Sequence, residues 1–243
     1  GYTLVQAQRK AKEEQAAALQ QLAESRISVL TGSAGTGKTT LLSILCEQDE
    51  IKKDGVLFLA PTGKARVRLQ EAASKAGAKA YTLAQFLNQY NRYDGRTGRY
   101  ETGGYERCSQ YGTVIVDESS MLTEEMMGVL FDALEGVKRY IFVGDHRQLP
   151  PIGAGRPFVD IVNYLKPDNV ESMFPRVGQC FAELTVTHRQ TGVKGKNTYW
   201  QDILLAKWFS GNPLDSCDDI IFQDLLLGKY SDRLKVVFWQ YEE

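Results

Sequence analysis

Much of what would commit this chain early is missing. Its 243 residues hold only four cysteines, Cys46, Cys108, Cys180 and Cys217, far apart and never as C-x-x-C. That usage argues for reduced, buried thiols and a cytoplasmic setting. No apolar run approaches the ~18 residues that a membrane-spanning helix requires, and no signal peptide is visible. The net charge is −1, so no global positive field draws in polyanions, and any such binding must come from a local surface. Internal repeats and low-complexity runs are absent. The first residue is Gly1 rather than Met, from which a processed or excised piece is expected.

What is present suffices for a core. A hydrophobic content of 43% over this length fits one large domain, or one domain plus part of a second. The chain is organised around Gly32-Ser33-Ala34-Gly35-Thr36-Gly37-Lys38-Thr39, which fits G-x-x-x-x-G-K-[ST]. Residues 27–31 before it read as a short buried strand, and 39–45 after it as a helix. The glycines let the loop curl so that backbone N–H groups point inward at phosphate oxygens. The helix N-terminus adds a partial positive charge at the same place. Lys38 is expected to reach the β- and γ-phosphates of a nucleotide, and the Thr39 hydroxyl to hold Mg²⁺.

Other elements alternate along the chain. Residues 3–24 show a polar helix pattern in which Leu4, Ala7, Ala11, Ala18 and Leu22 form a modest apolar stripe. Apolar runs at 56–60, 113–116 and 140–143 predict buried strands. Helices are expected over 64–76, from the cap Thr82 to 89, after the cap Thr123, and over 157–165. Residues 166–183 read as an irregular lid or linker, and 184–187 as a short strand. Such alternation gives an α/β fold with a mostly parallel sheet flanked by helices, and ligands sit at the carboxyl ends of its strands. The loop at 32–39, the pair Asp117-Glu118 and the turn 144–148 all follow strands, so they are expected to converge at one edge. Residues 90–112 break the rhythm. Asp94-Gly95 between aromatics signals a hairpin insert. Arg92, Arg96, Arg99 and Arg107 gather there with Tyr90, Tyr93, Tyr100 and Tyr105, either as an ordinary polar loop or as a basic, aromatic projection that touches nucleic acid.

Nucleotide hydrolysis needs charge neutralisation, a metal and a positioned water. Asp117, at the end of an apolar strand, suits the Mg²⁺ shell. Glu118 suits the base that orients or deprotonates the attacking water. Gln148 carries an amide that can touch a γ-phosphate and a backbone at once, which makes it a candidate sensor of phosphate loss.

The segments 32–40, Ala60-Pro61-Thr62-Gly63-Lys64-Ala65, Val114-Ile115-Val116-Asp117-Glu118-Ser119-Ser120-Met121 and Gly144-Asp145-His146-Arg147-Gln148-Leu149-Pro150-Pro151 occur in this order. Together they resemble motifs I, Ia, II and III of superfamily 1 DNA helicases of the RecD-like branch, and 184–190 resembles motif IV. The resemblance covers about residues 3–215. It implies a RecA-like P-loop NTPase domain over 1–190, with the small hairpin insert at about 90–112, and a linker helix with the start of an incomplete second RecA-like domain over 191–243. It implies that Gln15 reads adenine and that Gly32, Ser33, Ala34, Gly35, Thr36, Gly37, Lys38, Thr39 and Thr40 hold ATP. Thr39 and Asp117 would hold Mg²⁺. Lys38, Asp117, Glu118, Gln148 and Arg189 would carry catalysis, with Arg189 approaching the γ-phosphate. Thr62, Gly63, Lys64 and Thr82 would contact single-stranded DNA. His188 stands where many relatives carry an aromatic beside the base.

Nothing after Arg189 resembles motifs V and VI, which in these helicases belong to a second RecA-like domain. A fragment or a shortened relative is therefore expected, one that binds ATP–Mg²⁺, hydrolyses it slowly and does not unwind DNA alone. Its partners would be single-stranded DNA, the second RecA-like domain and DNA-repair or recombination proteins, with no membrane. The alternatives are a non-motor ATP-dependent DNA-binding or switch module, or the helicase part of a conjugative relaxase, although only His146 and His188 are present and no nuclease histidine cluster is seen. A P-loop small-molecule kinase is disfavoured, because Gly-Asp-x-x-Gln-Leu-Pro-Pro has no obvious role in one.

Overall fold

A computed structural model of the chain describes residues 2–103 and 106–186, together with 223, 227 and 228. The chain divides into two compact units, Gly1–Arg189 and Gln190–Glu243. Arg189, His188, Tyr105 and the linker helix expected beyond 190 lie outside the described residues.

The first unit opens with the long helix α1 (Tyr2–Glu24) and strand β1 (Ile27–Gly32). Next come α2 (Lys38–Cys46), α3 (Asp49–Lys53), β2 (Val56–Ala60), α4 (Gly63–Lys75), β3 (Ala80–Thr82) and α5 (Leu83–Gln89). The insert contributes β4 (Tyr93–Asp94) and β5 (Arg99–Tyr100). The chain continues through β6 (Thr113–Val116), α6 (Glu124–Ala133), β7 (Arg139–Gly144), α7 (Pro157–Leu165), β8 (Arg176–Gly178) and β9 (Phe181–Leu184). Seven strands form one sheet in the order β3-β2-β6-β7-β1-β9-β8. All neighbours are parallel except the β8–β9 hairpin at one edge.

The central strands are mostly apolar because both faces are covered. Leu30, Phe58, Ile115, Ile141 and Ala182 point into a core shared with α1, α2 and α4. The alternate residues Val29, Leu57, Val114, Phe142 and Phe181 point into a second core shared with α5, α6 and α7. Among the described residues, no helix is long and apolar enough to cross a membrane.

Helix starts are set locally. Thr62 Oγ1 accepts the Ala65 N–H and caps α4. Thr82 and Gln85 form a reciprocal capping box at α5. The edge strand β3 is furnished by two glutamines: the Ala80 N–H donates to Gln70 Oε1 at 3.0 Å, and the Thr82 N–H to Gln85 Oε1 at 3.0 Å. An open groove of about 590 Å³ runs beside this strand, lined by Arg66, Gln70, Lys79, Tyr81, Gln85 and Asn88 among others.

Two expectations need correction. Residues 166–183 are not an irregular lid. They hold a 3-10 turn at Val170–Ser172 and the β8–β9 hairpin, whose strand β9 ends at Leu184 rather than beginning there. The two-residue turn Gln179-Cys180 puts Cys180 at φ 66°, a conformation that cysteine does not advertise in a sequence. The insert does form a hairpin, with Tyr93 opposite Tyr100 and their rings 4.9 Å apart. However, one of its four arginines is not on the surface at all. Arg92 is 1% exposed. Its Nε donates to Asp132 Oδ2 at 3.0 Å, and its guanidinium also donates to the carbonyls of Tyr90, Glu106 and Asp132. It bolts the insert to α6, whereas Arg96 and Arg99 remain exposed.

Candidate nucleotide site

Strand β1 delivers the loop to the middle of the carboxyl edge, where Gly32 pairs with Leu184 of β9 and Thr31 with Gly144 of β7. A Cβ on Gly32 would stand 2.6 Å from the Leu184 carbonyl oxygen and 2.9 Å from Thr36 Oγ1, so only glycine fits there. Gly37, at φ 92°, is the left-handed residue from which α2 starts. The buried Thr36 donates its hydroxyl to the Ser33 carbonyl at 3.0 Å. Lys38 Nζ donates to the carbonyls of Gly32 at 2.6 Å and Ser33 at 3.1 Å, folding the ammonium over its own loop. Burial lowers the Lys38 pKa, and the charges of Asp117, Asp145 and Glu118 oppose that shift. The charges of three carboxylates from two strand ends thus act on one lysine. Thr39 is half-buried and Thr40 exposed in the first turn of α2, and Ala34 is exposed at the loop.

Asp117 continues β6 by one residue, donating its N–H to the Leu59 carbonyl at 2.9 Å. It is 8% exposed. Burial pushes its carboxyl up to about 6, and the neighbouring Glu118 charge adds to this; the Glu118 N–H, Lys38 and Arg68 work the other way. The Glu118 N–H donates to Asp117 Oδ1 at 2.9 Å. Glu118 itself sits at φ 53°, ψ 38°, which costs a non-glycine residue about 1–2 kcal/mol. A 3-10 turn at Ser119–Met121 follows, tied by the Ser119 hydroxyl to the Val116 carbonyl at 2.7 Å. The reversal leaves Glu118 half-exposed beside the buried Asp117.

The β7 exit is braced on two sides. The Arg147 N–H donates to Asp145 Oδ1 and the Gln148 N–H to the Asp145 carbonyl, both at 3.1 Å. His146 Nδ1 lies 2.7 Å from the Thr31 hydroxyl. Burial chiefly, then the Arg147 charge, lowers the His146 pKa, while Glu183 and Asp145 act to raise it. Arg147 and Arg176 share the buried Glu183 of β9 at 3.2 and 3.1 Å. The Gln148 side chain is exposed beyond this brace.

At the far side of the sheet, Thr62, Gly63, Lys64 and Thr82 follow β2 and β3, with Ala60 paired to Thr82. Lys64 is exposed, and nothing stands within 4 Å of where a Gly63 Cβ would be. The Thr62 and Thr82 oxygens accept helix N–H groups, which leaves each hydroxyl proton free to be donated outward. Gln15 is half-buried on α1. The structure therefore gathers Lys38, Asp117 and Glu118 together with Asp145, which the sequence reading had not singled out for this role. Glu14, Glu183, Arg147 and Thr31 were also missed. Glu14 had a readable signal, since an acid at position 14 falls on the stripe of Ala11, Ala18 and Leu22, whose side chains are buried.

Among the described residues, no three His, Cys, Asp or Glu gather as a metal site. Thr39 and Asp117 each carry a hard oxygen donor at the carboxyl edge of the sheet. That suits an ion which keeps waters and takes most of its shell from phosphates.

Residues 10–193 match the AAA domain family. An ATP-dependent RecD2 DNA helicase of Deinococcus radiodurans is 36% identical over 147 residues, 60% of this chain and 19% of that protein. The RecBCD enzyme subunit RecD of Mycolicibacterium smegmatis is 34% identical over 197 residues, 73% of this chain and 33% of that subunit. Bacteroides Pif1 bound to ssDNA superposes with a TM-score of 0.51 at 20% identity, covering 88% of this chain and 49% of Pif1, a likeness of fold. The chain spans about a third or less of the length of these curated relatives.

Proposed function

We propose that this chain, which belongs to the AAA domain family and shares the fold of a solved helicase, binds and hydrolyses ATP as the RecA-like motor domain of a superfamily 1, RecD-like helicase acting on single-stranded DNA. The observation that carries this reading is the placement of the loop with Lys38, the pair Asp117-Glu118 and Asp145 at the carboxyl ends of three adjacent strands, β1, β6 and β7. A lysine bonded to its own loop carbonyls and faced by acids is poised to turn toward phosphate once a nucleotide arrives.

The roles follow from position. Loop N–H groups and Lys38 would hold the β- and γ-phosphates. The Thr39 hydroxyl and Asp117 would hold Mg²⁺, which neutralises charge on the phosphate oxygens. Glu118, half-exposed, would accept a proton from the attacking water. Gln148 would register the γ-phosphate, and the brace from Arg147 to Glu183 would keep its loop in place. Gln15 would read adenine and Arg189 would approach the γ-phosphate. On this reading residues 1–190 form domain 1A, and 191–243 a linker helix with the start of a second RecA-like domain. Thr62, Gly63, Lys64 and Thr82 would carry the DNA backbone along the same edge.

The test is ATP binding and hydrolysis by this chain, with and without oligo-dT, beside Lys38→Ala. Nucleotide affinity should collapse in the variant; equal affinity would remove the phosphate-loop assignment. DNA affinity should fall linearly on a log–log plot against salt, and a flat response would remove the proposed backbone track.

A further inference from the structure

Among the described residues no hydrogen bond holds the Gln15 side chain, yet a base reader must stand at a fixed distance from the loop that grips the phosphates. The residue beside it supplies that distance. Glu14 is 2% exposed, and its carboxylate receives the Thr185 and Val186 N–H groups at 3.1 Å each, together with the Thr185 hydroxyl. Thr185 directly follows Leu184, and Leu184 pairs with Gly32, the first residue of the phosphate loop. One carboxylate therefore ties the helix that carries Gln15 to the strand that borders the loop. The tie joins residues 171 and 172 positions apart in the chain.

We propose that Glu14 is a specificity-determining positioning residue: it sets the spacing between Gln15 and the phosphate loop, and so the preference for adenine over other bases. This rests on the reading of 32–39 as a nucleotide site and of Gln15 as its base reader. A residue that only stabilises the fold would weaken all ligands alike or none. A residue that sets spacing weakens the recognition of the base and spares the recognition of phosphate. Glu14→Gln is the informative change. It keeps the size but removes the charge behind these bonds, and of the two acceptor oxygens leaves one, the other becoming an amide beside the Thr185 hydroxyl.

The experiment is calorimetric titration of the chain with Mg²⁺ and ATP, GTP or inorganic tripolyphosphate, for the unaltered protein, Glu14→Gln, Gln15→Ala and the double variant. Circular dichroism confirms that each is folded. In Glu14→Gln, ATP affinity should drop about 3- to 10-fold, the range expected for losing a hydrogen bond to the base. Tripolyphosphate affinity should stay unchanged, and the preference for ATP over GTP should shrink. Gln15→Ala should do the same, and the double variant should add nothing further. Thr185→Ala, which keeps both backbone bonds, provides a milder change in the same direction should Glu14→Gln not fold. Equal loss of ATP and tripolyphosphate binding, or no loss of either, would overturn the role of Glu14. If the unaltered chain binds neither ligand, the nucleotide reading itself falls. If Gln15→Ala alone has no effect, the base-reader assignment falls, and the proposal falls with it.

Discussion

Replacing Asp117 with Asn should make the metal-free protein more stable while ruining its response to nucleotide. Burial raises the Asp117 carboxyl from its ordinary 3.8 to about 6. The folded state therefore binds the Asp117 proton more tightly than the unfolded chain does. Stability linked to this group is full below about pH 4 and is lost as pH rises toward 6. The two values differ by about 2 pH units, and at ~1.36 kcal/mol each the ionised carboxylate costs roughly 3 kcal/mol at neutral pH. Asn keeps the oxygen that accepts the Glu118 N–H but adds an amide donor with no assigned partner, a penalty of about 1 kcal/mol. A net gain of roughly 2 kcal/mol at pH 7.5 remains. Urea unfolding in EDTA, at several pH values from 4 to 7.5, should show the variant level with or slightly below the unaltered chain at pH 4 and above it from pH 6. Carboxyls held below their usual range, such as Asp54 and Asp132, drift with pH in both proteins and cancel in the difference. Mg²⁺–ADP at about 100 times its dissociation constant should add ~2.7 kcal/mol to the unaltered chain and far less to Asp117→Asn. A stability difference that does not change with pH, or a variant less stable throughout, would refute the account of Asp117 as an acid held ready for a cation.

Two further outcomes follow from the same geometry. Glu118→Gln should leave ATP affinity within about twofold while slowing single-turnover hydrolysis by roughly 10²-fold or more, the range for a lost general base; an unchanged rate would move the base elsewhere. Arg92→Ala removes the bolt between the insert and α6 and leaves several carbonyls unpaired, at a cost of about 3 kcal/mol, read as a fall of roughly 6–12 °C in Tm. Arg96→Ala should leave Tm unchanged, and a similar fall in both variants would count against the anchoring role of Arg92.

The parts of the fold written in repeating chemistry were legible in advance. Continuous apolar runs announced the strands around β1, and the caps Thr82 and Thr123 announced their helices. The loop at 32–39 and the acids after β6 followed from spacing and strand ends. What stayed hidden depends on partners distant in the chain. Arg92 reads like its exposed neighbours until Asp132, forty residues away, comes into place beside it. Glu183 looks like a surface acid until Arg147 and Arg176 close on it. The β8–β9 turn carries a left-handed cysteine where glycine or asparagine would have signalled the bend.

The two glutamines beside β3 have a consequence for a protein whose large parallel sheet ends, among the described residues, at this strand. Such a border invites a neighbour's strand to add on, and filaments or swapped dimers begin that way. Here the N–H groups of Ala80 and Thr82 are already engaged by Gln70 and Gln85, so an arriving strand would meet donors that are taken. The amides act as a hem on the sheet: they finish the border from within the chain and without adding charge.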